Sequence, residues 1–236
     1  MPSALPLGFD ARMASMTISL NGATLEARAS GSLFWPSESL LVVSDMHLGK
    51  SDRLARQGRT LLPPYESIET LSRLADDLDA TEARNVVCLG DSFDDLPAQS
   101  SLPAAARDTL DRLMAGRRWI WIEGNHDPGP LDLGGTHLGQ LRLGPLVFRH
   151  IAQQGARPGE VSGHYHPKAS LRTRVGQVAR PAFLLDTTRL IMPAYGRYTG
   201  GLRHIDPALR GLMADDATAI LTGLRPIAAP AFAGAA

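Results

Sequence analysis

The chain has 236 residues, of which 44% are hydrophobic and 20% charged, so it is long enough to bury a substantial core. Its 24 basic and 24 acidic residues balance, which argues against binding nucleic acid or anionic lipid through bulk charge but not against a local basic groove. A single cysteine, Cys88, excludes an internal disulfide framework and is interpreted as a buried, inert thiol. No apolar run reaches the ~18 residues of a membrane span, and the N-terminus lacks the pattern of a signal peptide. We therefore expect a cytoplasmic protein with no membrane segment.

One domain is expected over residues 16–227, because no repeat or linker divides the chain. Residues 1–15 mix Pro, Gly, Ala and Ser without periodicity, and residues 228–236 are mainly Ala, Pro and Gly. Both ends are predicted to be disordered. Nothing in the sequence marks a dimer surface, so the oligomeric state stays open.

The first half of the chain alternates strand patterns with helix patterns. Asn21-Gly22 lies between two short alternating runs and predicts a hairpin. Buried strands are predicted at 40–44, 85–89 and 117–123, and amphipathic helices at 65–78 and 104–115. This β-α-β-α-β order predicts parallel strands with helices on the sheet faces.

From about residue 136 the pattern changes to short strands and turns. The predicted strands cover 140–143, 146–149, 160–162, 170–175, 183–185, 190–192 and 218–224. We expect this half to be antiparallel and poor in helix, which makes the whole chain an α/β (α+β) protein.

Polar residues of similar chemistry follow five of the predicted strands. They form D-x-H at 45–47, G-D at 90–91, G-N-H-D at 124–127, a single His150, and G-H-x-H at 163–166. Five of the seven histidines lie in these segments, and His137 and His204 outside them are interpreted as structural. Residues i and i+2 of an extended strand point to the same side, so each D-x-H or H-x-H pair is predicted to converge on one point. Ligands bind at the carboxyl ends of strands in open α/β sheets, where these residues are expected.

These ligand types point to a metal site. Carboxylate, amide oxygen and imidazole together suit Mn, Fe, Zn, Co or Ni, and there are more of them than one ion uses. Two divalent ions sharing one aspartate fit the number better, with Mn as the first choice and Mg as a further alternative. Such a pair would attract a phosphate and, ~3.5–4 Å apart, would activate water and stabilise the attacking and leaving oxygens.

The order of the five segments resembles the calcineurin-like metallophosphoesterase superfamily, and all five lie between residues 45 and 166. The resemblance implies a β-sandwich of mixed sheets flanked by helices, with a di-metal site at the strand C-terminal ends. It also implies the ligands of both ions: Asp45, His47, Asp91 and His166 for the first, and Asp91 (bridging), Asn125, His150 and His164 for the second.

The same resemblance implies the catalytic residues. His126 matches the histidine that faces the phosphate and protonates the leaving oxygen without binding metal. Asp94 is placed where some members have an aspartate that orients this histidine, with Asp127 as the competing orienter. Asn125 is expected to help hold the phosphoryl oxygens. The sequence alone does not choose between the two aspartates.

Two further segments resemble one bacterial subfamily, the ligase-associated DNA-damage-response endonucleases. The first is His47-Leu48-Gly49-Lys50 followed by an arginine-rich segment and a Pro-Pro turn, and the second is the segment 193–202, PAYGRYTGGL. The resemblance implies a DNA substrate in repair and a functional association with an ATP-dependent DNA ligase and a helicase-like protein. Lys50 and Arg53 are predicted to bind the substrate, and a solvated basic face is the competing interpretation.

Three functions therefore stay open. The leading hypothesis is a metal-dependent phosphodiesterase or endonuclease that acts on DNA. The second is the same hydrolase chemistry on a nucleotide, a nucleotide-sugar pyrophosphate or a phosphomonoester. The third is a non-catalytic scaffold, which would tend to lose metal ligands or the catalytic histidine, whereas this sequence keeps both.

Overall fold

The computed structural model describes residues 14–59, 65–129, 132–173 and 176–232. Residues 1–13 of the predicted disordered segment 1–15, the Pro63-Pro64 turn and the last four residues lie outside these ranges, whereas Ser15 is not disordered but begins the first strand. No described helix is long and apolar enough to cross a membrane.

The first sheet has seven strands that lie side by side in chain order. They are β1 (Ser15–Leu20), β2 (Ala23–Arg28), β3 (Leu33–Trp35), β4 (Leu40–Val43), β5 (Asn85–Leu89), β6 (Arg118–Ile122) and β7 (Thr136–Leu138). The strands β1 to β4 are antiparallel, and β4 to β7 are parallel, as the β-α-β-α-β pattern predicts. The hairpin at Asn21-Gly22 is confirmed, with φ angles of 47° and 86° at its two turn residues.

The second sheet has eight strands and lies against the first. They are β8 (Gln140–Leu143), β9 (Leu146–Arg149), β10 (Glu160–Ser162), β11 (Lys168–Thr173), β12 (Gly176–Leu185), β13 (Arg189–Ile191), β14 (Thr218–Leu221) and β15 (Ile227–Pro230). Their order is β15-β14-β12-β13-β10-β9-β8, and β11 pairs only with β12.

The helices flank the outer face of the first sheet, except for one short helix near the C-terminus. They are α1 (Lys50–Arg56), α2 (Glu66–Thr81), α3 (Ala98–Ser101), α4 (Ala104–Met114) and α5 (Pro207–Arg210). On α2, Leu71, Leu74 and Leu78 recur at helical spacing and are fully buried against the sheet.

Strand β4 shows why the fold has layers. Leu40 and Val42 join a core that contains residues of both sheets, whereas Leu41 and Val43 join the core beneath α2 and α4. Alternate side chains of a strand point to opposite faces, so a continuous apolar run must be covered on both sides. Full burial of each such side chain contributes about 1.5–3 kcal/mol. Cys88 on β5 is buried, which confirms that part of its interpretation, and burial raises the pKa of its thiol.

Two expectations for the second half are corrected. It is not wholly antiparallel, because β10 pairs in parallel with both β9 and β13. Residues 228–230, predicted to be disordered, belong to β15 and pair with β14 through their backbone. Such main-chain pairing does not depend on the small Ala and Pro side chains that suggested disorder.

This mixed topology creates the site. The parallel strands β4, β5 and β6 of one sheet and β9, β10 and β13 of the other each end in a segment that the sequence singled out. The five ligand segments and the segment 193–202 thus follow six parallel strands.

Candidate metal centre and active site

The ligand segments leave their strands through left-handed backbone. The φ angles are 53° at Asp45, 45° at His47, 46° at Asp91, 70° at His164 and 47° at His166. Non-glycine residues rarely adopt positive φ, and such strain concentrates at functional sites. Asp45 and His47 do converge on one ligand group, whereas His164 and His166 fall into two different groups. The expected cause, an extended strand, is wrong for both pairs, because β4 and β10 end before the ligands.

The first group of side chains contains Asp45, His47 and His166, whose potential ligand atoms lie within 4.8 Å of one another. Asp45 Oδ1 is 3.0 Å from His166 Nε2. Asp91 Oδ2 lies 4.0 Å from His47 Nε2, at the boundary of this group.

The second group contains Asp91, His150 and His164, again within 4.8 Å of one another. His150 Nε2 is 3.4 Å from Asp91 Oδ2, 3.2 Å from His164 Nδ1 and 3.0 Å from Asn125 Oδ1. Asp91 approaches both groups, which is the arrangement that a bridging ligand requires. The structure thus brings together all seven residues that the sequence nominated as metal ligands.

A second observation that favours two cations is the number of buried polar atoms that lack a hydrogen-bond partner. His47 Nε2 is buried without a hydrogen-bond partner among the residues that the structure describes, and Asp45 Oδ1 and His166 Nε2, 3.0 Å apart, have no other hydrogen-bond partner there. Leaving a buried polar atom unsatisfied costs about 1–3 kcal/mol. Cations coordinated by these atoms would remove that cost, and the mixture of oxygen and nitrogen atoms suits Mn, Fe or Zn.

Neighbouring polar groups hold the ligands in orientation. His150 Nδ1 lies 2.8 Å from the Leu89 carbonyl, so Nδ1 donates its proton there and Nε2 faces the second group. Asp45 Oδ2 accepts hydrogen bonds from the Ser44 hydroxyl and, at 3.0 Å, from the His164 backbone N–H. These contacts leave Asp45 Oδ1 available to a cation.

Opposite charges within the site shift its pKa values. Burial alone would raise the pKa of Asp91, but the neighbouring His150 lowers it to about 2. Burial would lower the pKa of His150, but Asp91 and Asp45 raise it to about 9. Burial would also raise the pKa of Asp45, and His166 and His150 hold it below its usual value. The carboxylates are therefore ionised and ready to bind a cation.

His126 lies beside both groups. Its Nδ1 is 2.9 Å from the main-chain carbonyl of Asp94, and its backbone N–H donates to Asp91 Oδ1 at 2.8 Å. With Nδ1 donating to the carbonyl, Nε2 is the nitrogen available to a substrate. The Asp94 carboxylate lies within 4.8 Å of a His126 ring nitrogen, and its orienting role stays a prediction.

The Asp94 carboxylate has a different set of contacts. It is fully buried, and its Oδ1 lies 2.9 Å from His47 Nδ1 and 3.8 Å from Lys50 Nζ. Arg53 Nε lies 2.5 Å from Asp94 Oδ2. Burial would raise the pKa of Asp94, and His47 together with these cations lowers it. Lys50 and Arg53, predicted to bind substrate, are therefore neutralised in part by Asp94, although they remain next to a predicted metal ligand.

Within the described part of the chain, Asp127 forms no hydrogen bond to the His126 ring, and its carboxylate has contacts that the sequence did not reveal. Its Oδ1 accepts from the backbone N–H groups of Asp91 and Gly124 at 2.9 and 3.2 Å. Its Oδ2 accepts from those of Ser92 and Phe93 at 2.7 and 3.1 Å. Burial and the charge of Asp91 raise the pKa of Asp127 to about 6, against the lowering effect of these N–H groups. This carboxylate therefore fastens the turn that carries Asp91 to the turn that carries Asn125 and His126.

Glycines allow the ligand turns to approach closely. A Cβ atom on Gly124 would lie 2.2 Å from the Asp91 backbone nitrogen, and one on Gly163 would lie 1.8 Å from the Ser44 hydroxyl oxygen. No side chain fits at these distances, so both positions require glycine.

The segment 193–202 is hydrogen-bonded to the backbone that carries the first group. The Tyr195 and Gly196 backbone N–H groups donate to the Ser44 and Asp45 carbonyls at 2.7 and 3.0 Å. A Cβ on Gly201 would lie 2.1 Å from the His166 carbonyl oxygen. The sequence marked this segment only through a subfamily resemblance, and its contact with the ligand turns was not predicted.

Two mixed sheets with carboxylate and imidazole clusters at the ends of their parallel strands define a metallophosphoesterase fold. The family model described as "Calcineurin-like phosphoesterase" matches residues 39–179, a range that contains all five ligand segments. The chain belongs to this metal-dependent family.

Solved structures give two further likenesses. The Pseudomonas putida nuclease MPE is 27% identical, with a TM-score of 0.71 over 90% of this chain and 100% of its own. The phosphoesterase Yfce from E. coli is 14% identical, with a TM-score of 0.39 over 81% of this chain and 98% of its own. The comparison with curated proteins found no match.

Proposed function

We propose that this phosphoesterase is a nuclease that hydrolyses phosphodiester bonds of DNA. The observation that carries the proposal is the position of Asp91 between two ligand groups, with the His126 ring 5.1 Å from that of His47. The likeness to a bacterial nuclease over most of both chains supports nucleic acid as the substrate class. We further propose Mn²⁺ as the metal, a cytoplasmic location, and a repair role associated with an ATP-dependent ligase and a helicase.

Asp45, His47, Asp91 and His166 would hold one divalent ion, and Asp91, Asn125, His150 and His164 the other. The ions would supply positive charge for the phosphoryl oxygens and lower the pKa of the attacking water. The water would lose a proton to the solvent and add to phosphorus opposite the leaving oxygen, and the bond between phosphorus and the leaving oxygen would break.

His126 serves as the general acid in this scheme. In its protonated form both ring nitrogens donate, Nδ1 to the Asp94 carbonyl and Nε2 to the leaving oxygen. The Nε2 proton moves to the departing alkoxide, and the ring keeps its Nδ1 proton. The carbonyl thus fixes which nitrogen delivers the proton.

A cavity of about 320 Å³ adjoins the second group and supports a substrate larger than a single phosphate. Asn125 and His150 form part of its wall, and Arg149 and Gln140 line it further out. Arg149 Nη2 donates to Gln140 Oε1 at 3.0 Å. A nucleotide that flanks the scissile phosphate would lie next to the Arg149 cation and the Gln140 amide.

The test is activity of metal-stripped protein re-supplied with Mn²⁺ on single-stranded DNA, duplex DNA and bis-p-nitrophenyl phosphate. We expect the wild type to cleave DNA, and His126→Ala to lose about 10²–10⁴-fold in turnover, the usual contribution of a general acid. Its metal content, measured by atomic emission, should equal that of the wild type. His204→Ala, which removes a histidine outside both groups, is the matched control and should retain activity.

Other outcomes would overturn the proposal in distinct ways. Hydrolysis of the small diester without cleavage of DNA would move the substrate to the nucleotide scale. Full activity of His126→Ala would remove the general-acid assignment. Metal binding with no turnover of any substrate would identify a non-catalytic scaffold.

A further inference from the structure

A second cavity, of about 720 Å³, lies beside the segment 193–202, which is hydrogen-bonded to the backbone of the metal centre. Its wall includes Gly196, whose backbone N–H donates to the Asp45 carbonyl at 3.0 Å. Lys168, two residues after His166, also lines it, and Arg180 lies next to Lys168's partner on the neighbouring strand. The cavity wall is therefore bonded to the Asp45 backbone through Gly196 and lies close in sequence to His166 through Lys168. Its volume is in the range of sites that bind a nucleotide-sized molecule.

The charge of this cavity is mainly positive. Four cationic side chains and two acidic ones line it: Arg73, Lys168, Arg180 and Arg197 against Asp76 and Asp77. The Asp77 carboxylate is already paired, because Arg28 Nε lies 2.9 Å from its Oδ1 and the Tyr195 hydroxyl donates to its Oδ2 at 2.9 Å.

Lys168, Arg180 and Arg73 form no ion pair with any described residue, and the Arg73 guanidinium lies over the Tyr195 ring, 4.2 Å from its centroid. The Lys168 ammonium donates at 3.3 Å to the Thr199 carbonyl, which carries no formal charge. Arg180 is exposed and forms no ion pair with any residue in the described ranges, whereas Arg197 pairs with Glu69 at 2.9 Å. Two uncompensated cations on adjacent strands favour a phosphate as the ligand, since lysine and arginine donors bind phosphate oxygens strongly.

The rim of the cavity also carries an aromatic ring. Tyr198 lines the cavity, is 48% exposed, and is held in the left-handed region at φ 54°. An exposed ring beside cations is a common arrangement for binding single-stranded nucleic acid, because any base can stack on it.

We propose that this cavity binds a phosphate-bearing nucleotide of the DNA strand, flanking the scissile bond on the side of Asp45 and His166. Lys168 and Arg180 contact the phosphate, and Tyr198 stacks on the base. The inference rests on the proposed nuclease function and extends it from the reacting phosphate to a neighbouring nucleotide. These contacts position the strand and carry no sequence information.

The test compares a single-stranded oligonucleotide with bis-p-nitrophenyl phosphate, which is too small to span both sites. For Lys168→Ala/Arg180→Ala we expect KM for the oligonucleotide to rise about tenfold or more, the scale of one or two charge-assisted hydrogen bonds lost. The kinetic constants for the small diester should stay within about twofold of wild type, because each lost contact lies outside its reach. The slope of log(kcat/KM) against log[salt] should become shallower by about 0.7 per phosphate contact removed.

Two further variants keep the test decisive. Arg180→Glu alone changes an exposed, unpaired side chain, so it retains the fold even where Lys168→Ala disturbs the adjacent ligand turn. Arg84→Ala removes the same charge next to the amino end of β5, at the opposite edge of the sheet. It should leave the kinetic constants for both substrates unchanged.

Several results would overturn the inference. An unchanged oligonucleotide KM in Arg180→Glu and in the double variant would show that DNA does not reach the cavity. An equal loss on both substrates would indicate damage to the metal centre. If a free mononucleotide binds the wild type and not the double variant while the KM for DNA is unchanged, the cavity serves a soluble nucleotide. A wild type that cleaves the small diester but no DNA would instead refute the proposed function itself.

Discussion

Asp127→Asn is the substitution that most directly tests how the metal centre is built. Each carboxylate oxygen of Asp127 accepts two backbone N–H groups, and the side chain is 2% exposed. Asparagine keeps the shape but replaces one oxygen with an NH₂ donor. Two backbone N–H groups then face a donor and lose their acceptor.

The expected magnitude follows from those two groups. A buried donor left unsatisfied costs about 1–3 kcal/mol, so the variant should lose about 2–6 kcal/mol of unfolding free energy. Because the turn that carries Asp91 is released, the affinity for Mn²⁺ should also fall about 10–100-fold, the usual effect of altering a residue that supports a ligand.

Urea unfolding in the presence of a chelator measures the first effect without any contribution from bound metal. The assay belongs at pH 8, because the pKa of Asp127 is raised to about 6 and the wild-type carboxylate is fully ionised there. Asp111→Asn is the control, since that carboxylate is exposed and, in the described part of the chain, its ion pair and hydrogen bonds are with Arg107 on the same helix. A free energy of unfolding within about 0.5 kcal/mol of wild type for Asp127→Asn would refute the reasoning, since surface changes alone stay in that range.

Two further predictions concern the ligand turns. Asp91→Asn should lower the metal content and reduce the rise in melting temperature that Mn²⁺ produces, because a cation bound only by the folded state stabilises it; an unchanged metal content would rule out the bridging position. Gly163→Ala should destabilise the protein by about 1–3 kcal/mol or more, since the added methyl group overlaps an oxygen 1.8 Å away. Gly200→Ala, at a glycine with open space around its Cβ position, should have little effect on denaturant unfolding, and equal losses for both variants would contradict the argument.

The sequence predicts well those features that depend on local pattern. Val86 to Leu89 form a continuous apolar run, and the strand Asn85–Leu89 has the predicted limits. The helix around Leu71, Leu74 and Leu78 follows from helical spacing alone. Asp45, Asp91 and Asn125 could be listed because each follows such a strand, and parallel strands must end at one edge of the sheet. His150, His164 and His166 follow strands that the sequence predicted to be antiparallel, so only the resemblance placed them with the others.

Other features depend on contacts between distant segments, so the local sequence does not predict them. Strand β10 has three residues, too few for periodicity to show whether it pairs in parallel, and that pairing is set by β9 and β13. The left-handed backbone at Asp45 and His47 is typical of glycine, so nothing in a D-x-H segment predicts it. Asp127 bonds four N–H groups 3 to 36 residues away, and no sequence pattern indicates which carboxylate will do so.

The backbone turn from Asp91 to Asp94 links the proposed bridging ligand to the proposed general acid. Asp91 offers one carboxylate oxygen to the ligand groups and accepts the His126 backbone N–H with the other. The Asp94 carbonyl lies next to the His126 ring, and its carboxylate lies next to His47. Asp127 accepts hydrogen bonds from three N–H groups of the same turn. Because these contacts share one turn, we expect a substitution that displaces it to affect the proposed metal ligand Asp91 and the proposed general acid His126 together.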